Sequence, residues 1–286
     1  MMSQEYLSIQ LMPLDPVVKQ AFFDRNPGPN VLVDPEYHIW DRSVVRWIDG
    51  RYHAYYSRWL GEHNHWLIDS EVIHAVAETP EGPFKDTGVV LQRRNTDGWD
   101  LVDSHSQYAL VVDDEILLYY QSVDLRGMFP PQTDSPLPAD DWLYAPDNWL
   151  KIRDRKRLGL AVGATPAGPF ERTREPVITP DGFNKIRTIV DNPAVVYHDG
   201  RYFMVLKSFD AHKRDHRVQV LAHSETRDGP FTFHPEPVYA EKDTEDATVW
   251  FDTESDHYYM VCHVRGGNDL AMFTSVNGFD WQPASQ

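Results

Sequence analysis

The 286-residue chain has a single cysteine, Cys262, which rules out an intramolecular disulfide and a cysteine-based metal cluster. That residue sits in the apolar run YYMVCHV and is expected to be a buried, inert thiol. No apolar stretch approaches the roughly 20 residues that cross a bilayer as a helix. Bases are scarce: 27 Lys and Arg face 44 Asp and Glu, for a formal charge of −17. Such a surface repels phosphate backbones and argues against nucleic acid as a partner. A small anionic substrate stays compatible, because nearby basic groups override the global field. The opening residues, MMSQEYLSIQLMPLDP, lack the basic and apolar regions of a secretory signal. A cytoplasmic protein is expected, or a periplasmic one if a leader has been removed. Helical periodicity is scarce too. PVVKQAFFDR at 16–25 reads as one short helix before the breaker NPGPN, and no later stretch of ten residues carries the period.

What the chain has is a repeat. An acidic residue opens a short β-rich run, a tight turn follows, and then an aromatic strand. The phrase reads DRSVVRWIDGRYHAYY from Asp41, DSHSQYALVVDDEILLYY from Asp103, DNPAVVYHDGRYFMVL from Asp191 and EDATVWFDTESDHYYMV from Glu245. Asp-Gly between alternating β-branched and aromatic residues is a strong hairpin signal. Three units close on ETPEGPF, ATPAGPF or ETRDGPF, and the fourth on SVNGFDW. In these tags Gly and Pro make a turn, and Phe is expected to pin the outer strand to the stack of units. Four strands per unit, copied around an axis, predict an all-β chain folded as a β-propeller. Four repeats are visible. Residues 1–35 form a lead-in, and 36–286 form the propeller. Its longest spacing contains an inserted segment, 129–157, rich in Pro, Asp and Trp, of the sort that forms lids or interface loops.

A propeller gathers the starts of its inner strands at one mouth. Asp41, Asp191 and the pair Glu245-Asp246 would meet there. Carboxylates confined in a partly dry mouth push one another's pKa values apart, which supplies the acid and base of glycoside hydrolysis. Asp103 opens the remaining unit, and His105 follows it. His105 and His263 are candidates to bond a sugar hydroxyl, or a divalent cation in the central channel, although no three His residues fall at a zinc spacing. Trp59, Trp66 and Trp142 lie in loop-like contexts and are candidate platforms for the apolar faces of sugars. Arg42, Arg187 and Lys207 lie near the acids, where they would neutralise them or hold an acidic sugar.

These motifs carry a resemblance. WDRSVV around Asp41, VDNPAVVYHDGRYFM around Asp191 and EDATVW around Glu245, at separations of 150 and 54 residues, resemble the five-bladed propeller glycoside hydrolases. The likeness is greatest to glycoside hydrolase family 117, the exo-acting 3,6-anhydro-L-galactosidases, and looser to family 43. It implies five blades and an inverting hydrolase with no required cofactor. By the same likeness Asp41 is the general base, Asp191 the pKa-modulating and sugar-orienting acid, and Glu245 an active-site acid. The family's histidine beside the Glu is replaced here by Thr244, so the proton donor is Glu245 or stays open. The implied partner is an oligosaccharide with a terminal anhydro-galactose, and arabinofuranosides or xylosides come next. The alternatives are a non-catalytic carbohydrate-binding propeller and a phosphorylase. An incomplete ring would leave strand edges that favour a homodimer.

Overall fold

The computed structural model describes residues 32–284 apart from 94–97, 129–139, 182, 214 and 267–269. The short helix expected at 16–25 and residues 129–139 of the inserted segment lie outside the described residues. Among the described residues sixteen strands form four antiparallel sheets of four, each strand pairing with its neighbour in sequence. The first blade is β1 (His38–Arg46), β2 (Tyr52–Trp59), β3 (Glu71–Ala77) and β4 (Lys85–Leu91). The second is β5 (His105–Val112), β6 (Glu115–Val123), β7 (Lys156–Gly163) and β8 (Phe170–Arg172). The third is β9 (Ile186–His198), β10 (Arg201–Asp210), β11 (Arg217–Ser224) and β12 (Thr232–Phe233), and the fourth is β13 (Thr244–Asp252), β14 (His257–Val264), β15 (Leu270–Ser275) and β16 (Gln282–Pro283). No helix among the described residues is long and apolar enough to cross a membrane.

The first two strands of each blade meet at a turn that the sequence dictates. Asp113-Asp114 and Asp199-Gly200 all have positive φ (50°, 60°, 49° and 73°), the type I′ geometry whose twist matches the strands it joins. Asp49-Gly50 behaves differently. Only Gly50 is left-handed, and its N–H donates to the Trp47 carbonyl at 2.9 Å within a longer loop closed by Trp47 N–H to Arg51 O at 3.0 Å.

The closing tags are one turn used three times. The hydroxyls of Thr79, Thr165 and Thr226 donate to the carbonyls of Gly82, Gly168 and Gly229 at 2.8, 2.7 and 2.5 Å. The following Phe reaches back one blade. Phe170 of the second blade meets Tyr55 of the first edge-on at 6.1 Å, and Phe231 of the third meets Tyr119 of the second at 6.4 Å. In the fourth blade Phe279 takes this part, against Phe203 of the third at 5.1 Å. Phe84 of the first blade packs on Tyr56 of its own.

Separate apolar cores lie between successive blades. Tyr55, Ala109 and Leu118 belong to the first interface, Leu117, Val195 and Met204 to the second, and Val205, Val249 and Met260 to the third. β1 packs on β5, β5 on β9, and β9 on β13, while no contact of comparable extent joins β13 back to β1 among the described residues. The five blades implied by the resemblance are therefore corrected to four. Each of the four repeats spends its four strands on one blade, and no fifth sheet is found among the described residues.

Candidate functional site

The four inner strands share one irregularity. In each, two residues oppose one on the neighbouring strand: Asp41-Arg42 opposite Tyr56, Ser106-Gln107 opposite Tyr120, Asn192-Pro193 opposite Leu206, and Asp246-Ala247 opposite Cys262. These are β-bulges, and the first bulged residue is left-handed every time, with φ of 50°, 45°, 43° and 55°. A bulge re-aims side chains, and here it turns two consecutive residues per blade into a single cavity of about 220 Å³. Its walls include Trp40-Asp41, His105-Ser106, Asp191-Asn192 and Glu245-Asp246.

This register corrects the repeat as the sequence presents it. Asp41 and Asp246 occupy the bulged position. Asp191 and Glu245 occupy the position before it, where the first two blades place Trp40 and His105. Asp103 lies before its strand begins. It is fully buried outside the cavity wall, where one carboxylate oxygen accepts from the Ser122 hydroxyl (2.9 Å) and the Val123 N–H (3.1 Å). Burial raises its pKa well above the ordinary value.

The carboxyls differ in company. Asp41 accepts from the Ser106 hydroxyl at 2.6 Å, and His105 Nε2 lies 3.5 Å from the same oxygen. Burial outweighs that hydrogen bond, and Asp246 and Asp191 nearby add to it, so Asp41 is pushed up to about 7. Burial pushes the His105 imidazole down to about 3, so the ring facing Asp41 is neutral. Asp191 is the opposite case. Burial alone would raise it, but Lys156 Nζ bonds its Oδ2 and Lys207 Nζ lies 3.3 Å away, and these two ammonium groups hold it far below the usual range. Burial lowers Lys156 to about 8, while the surrounding carboxylates outweigh burial at Lys207 and raise it.

Glu245 is ion-paired on several sides, with Arg265 Nε at 3.2 Å, Arg217 Nε at 3.4 Å and Lys207 Nζ at 3.8 Å, and His263 Nδ1 lies 4.0 Å away. Asp246, open to solvent on one side, accepts from the Asn192 amide at 2.8 Å. Desolvation, with Glu245 and Asp191 close by, raises it despite Lys207.

Of the aromatic candidates, Trp66 lines the cavity, stacked on His105 at 5.0 Å with Lys156 Nζ 5.1 Å from its ring. Trp59 also lines it but is only 1% exposed, stacked on His38 and donating to the Glu62 carbonyl at 3.2 Å. Trp142 packs with Leu67, Leu143 and Ile152 and does not line the cavity. Arg42 lies over the Phe84 ring, and Arg187 is exposed, both away from the cavity wall. Several wall residues carry no strong sequence signal: Ser106, Gln121, Asn192, Arg153, Lys156 and Arg217. Trp149, Arg153 and Lys156 come from the inserted segment, whose Trp-rich composition was the one available hint. No group of three His, Cys, Asp or Glu arranged to hold a metal ion occurs among the described residues.

A ring of four-stranded blades with an acid-lined mouth defines the fold class as a β-propeller. No family model and no curated protein matches the sequence. Solved structures do match the fold. Zg3597, a family 117 glycoside hydrolase from Zobellia galactanivorans, superposes with a TM-score of 0.66 at 18% identity, over 88% of this chain and 70% of that one. An endo-arabinase from Bacteroides thetaiotaomicron gives 0.58 at 15% identity, over 82% and 74%. The GH43_1 enzyme from Xanthomonas citri complexed with xylotriose gives 0.56 at 18%, over 88% and 74%. The fold is thus similar to that of the family 117 and family 43 propellers, with four blades among the described residues.

Proposed function

We propose that the protein is a glycoside hydrolase that removes a terminal sugar from an oligosaccharide by an inverting mechanism. The observation that carries this reading is the cavity itself. Acids from the first, third and fourth blades meet in it, one pushed up to about 7 and another held well below the usual carboxylate range. Groups so separated take different roles, one exchanging protons and the other staying charged. The likeness to glycoside hydrolase propellers supports the same conclusion.

In this mechanism Asp41 takes a proton from the attacking water. A carboxyl poised near neutrality suits that task, and the neutral His105 ring beside it does not compete for the proton. Asp191, kept ionised by Lys156 and Lys207, orients the sugar. The donor to the leaving oxygen stands on β13, where Glu245 and Asp246 are consecutive. Asp246 has the surroundings that favour a held proton, and Glu245, braced by Arg217 and Arg265, acts as a binding acid. The cavity is smaller than the roughly 300–1,000 Å³ of drug-sized sites, which suits one terminal ring rather than an extended chain. The terminal sugar we propose is of the 3,6-anhydro-L-galactose type, with arabinofuranosides and xylosides next.

The test is a panel of algal and plant oligosaccharides assayed for released monosaccharide, with the anomer followed by NMR. Inverted product from the wild type, and none from Asp41→Asn at unchanged thermal stability, is the expected result. Full turnover by Asp41→Asn would remove that residue from the mechanism.

A further inference from the structure

The geometry points to an anion subsite built on Arg153, so that the oligosaccharide taken by the cavity carries a carboxylate or a sulfate ester. The inference rests on the glycosidase reading above and names the substrate class of the same site.

Four cationic side chains line the cavity: Arg153, Lys156, Lys207 and Arg217. Three have counter-charges. Lys156 pairs with Asp191, Lys207 with Asp191 and Glu245, and Arg217 with Asp243 and Glu245. Arg153 has none among the described residues. Its guanidinium carbon lies 5.2 Å from the Trp149 ring centre and 4.9 Å from that of Phe209, and its Nε is buried without an acceptor. Arg217 lies over the same Phe209 ring at 5.3 Å. Two guanidinium groups are therefore gathered at one apolar ring on the cavity wall, and one of them lacks a partner.

Stacking fixes the plane of a guanidinium and leaves its in-plane N–H groups free to fork onto two oxygens of a carboxylate or a sulfate. An unpaired charge in a confined, partly desolvated wall is costly, and an anionic ligand relieves that cost. The neighbouring wall suits a sugar ring. Gln121 is fully buried there, with neither its amide oxygen nor its amide nitrogen bonded to the protein, so it offers a donor and an acceptor to hydroxyls. Trp66 and Trp149, 6.3 Å apart and nearly perpendicular, supply apolar faces.

The experiment titrates the full chain, by calorimetry, with uronate-bearing and sulfate-bearing oligosaccharides. Each is matched to its neutral counterpart, the carboxyl-reduced or desulfated form. The anionic member of at least one pair should bind tighter by about ten- to a hundredfold, the size of one or two charge-assisted hydrogen bonds. Whichever pair shows the preference identifies the anion as carboxylate or sulfate. Arg153→Gln should erase the preference, and Arg153→Lys should keep part of it, with thermal melts confirming that both variants fold. Equal binding of charged and neutral members, failure of every charged member to bind, or a uniform loss across both in Arg153→Gln would overturn the subsite. Tight binding of an anionic sugar with no release of product would instead remove the hydrolase reading and leave the subsite standing.

Discussion

In the proposed mechanism Asp41 is the side chain on which the chemistry turns, and its environment fixes a pH dependence. Burial raises it to about 7. As the base it works only when ionised, so kcat/KM should rise with pH through about 7, as measured by initial rates over a buffered series. A rate that falls through the same region would make Asp41 the acid instead. The effect on stability has the opposite direction. A carboxyl raised on folding contributes most when protonated in both states, and that contribution is lost progressively as pH rises from the ordinary carboxylate range to about 7. Asp191 makes a different prediction, because it is the counter-charge of two lysines. Asp191→Asn leaves Lys156 and Lys207 facing each other, Lys156 being fully buried. It should cost about 3–5 kcal/mol, the order expected when one partner of a buried pair is removed, read as a lower denaturation midpoint. An unchanged midpoint would mean that the two ammonium groups find other partners.

At the scale of the element, the closing turns couple blade to blade. Phe231 stands on Tyr119 of the preceding sheet. Phe231→Ala should destabilise the fold by about 2–4 kcal/mol, somewhat below or within the range for a buried Phe because this ring is only half-buried. Urea denaturation measures it, and a loss below about 0.5 kcal/mol would deny the ring its part in holding the blades together. This role was legible in the sequence: Gly-Pro-Phe recurs at a fixed place in the repeat, and only a structural task explains three copies. The hairpins were legible for the same reason, since Asp-Gly and Asp-Asp interrupt alternating strands. The bulges were not. A bulge is one residue of extra length against a partner strand, and a single sequence does not display pairing. Asp103 thus read as the equal of Asp41 although it lies three positions before the bulged Ser106. Asp246 read as an adjunct of Glu245 although it is Asp41's counterpart. Lys156 and Arg153 were hidden differently. Arg153 enters the cavity from an insertion that has no equivalent in the other repeats, and Lys156 stands where that insertion joins β7, so periodicity did not single them out.

For the molecule as a whole, the ring has two kinds of blade. The second and third are packed on both faces, whereas the first and fourth each have one face without an extended contact to another blade among the described residues. Trp40 on β1 is 51% exposed and Trp250 on β13 is 37% exposed, while the inner strands between them are largely buried. Local opening follows contact density. Amide exchange followed by mass spectrometry should therefore show β5 and β9 as the slowest strands and β1 and β13 as faster. Uniform protection across all four would show that the open faces are covered in solution, as a homodimer would cover them. The repeat count was readable from the sequence. That the first and fourth blades share no extended contact among the described residues was not, because such a contact joins segments far apart in sequence.

The shared bulge has a consequence for how such a scaffold can change. Only eight positions, two per blade, are turned inward by it, and none of them takes part in the apolar contacts that hold the sheets together. With Asp191 kept as the counter-charge of Lys156 and Lys207, specificity could be rewritten at the other seven places while every hairpin, closing turn and inter-blade core stayed as it is. A library confined to them would explore new chemistry on an unaltered frame.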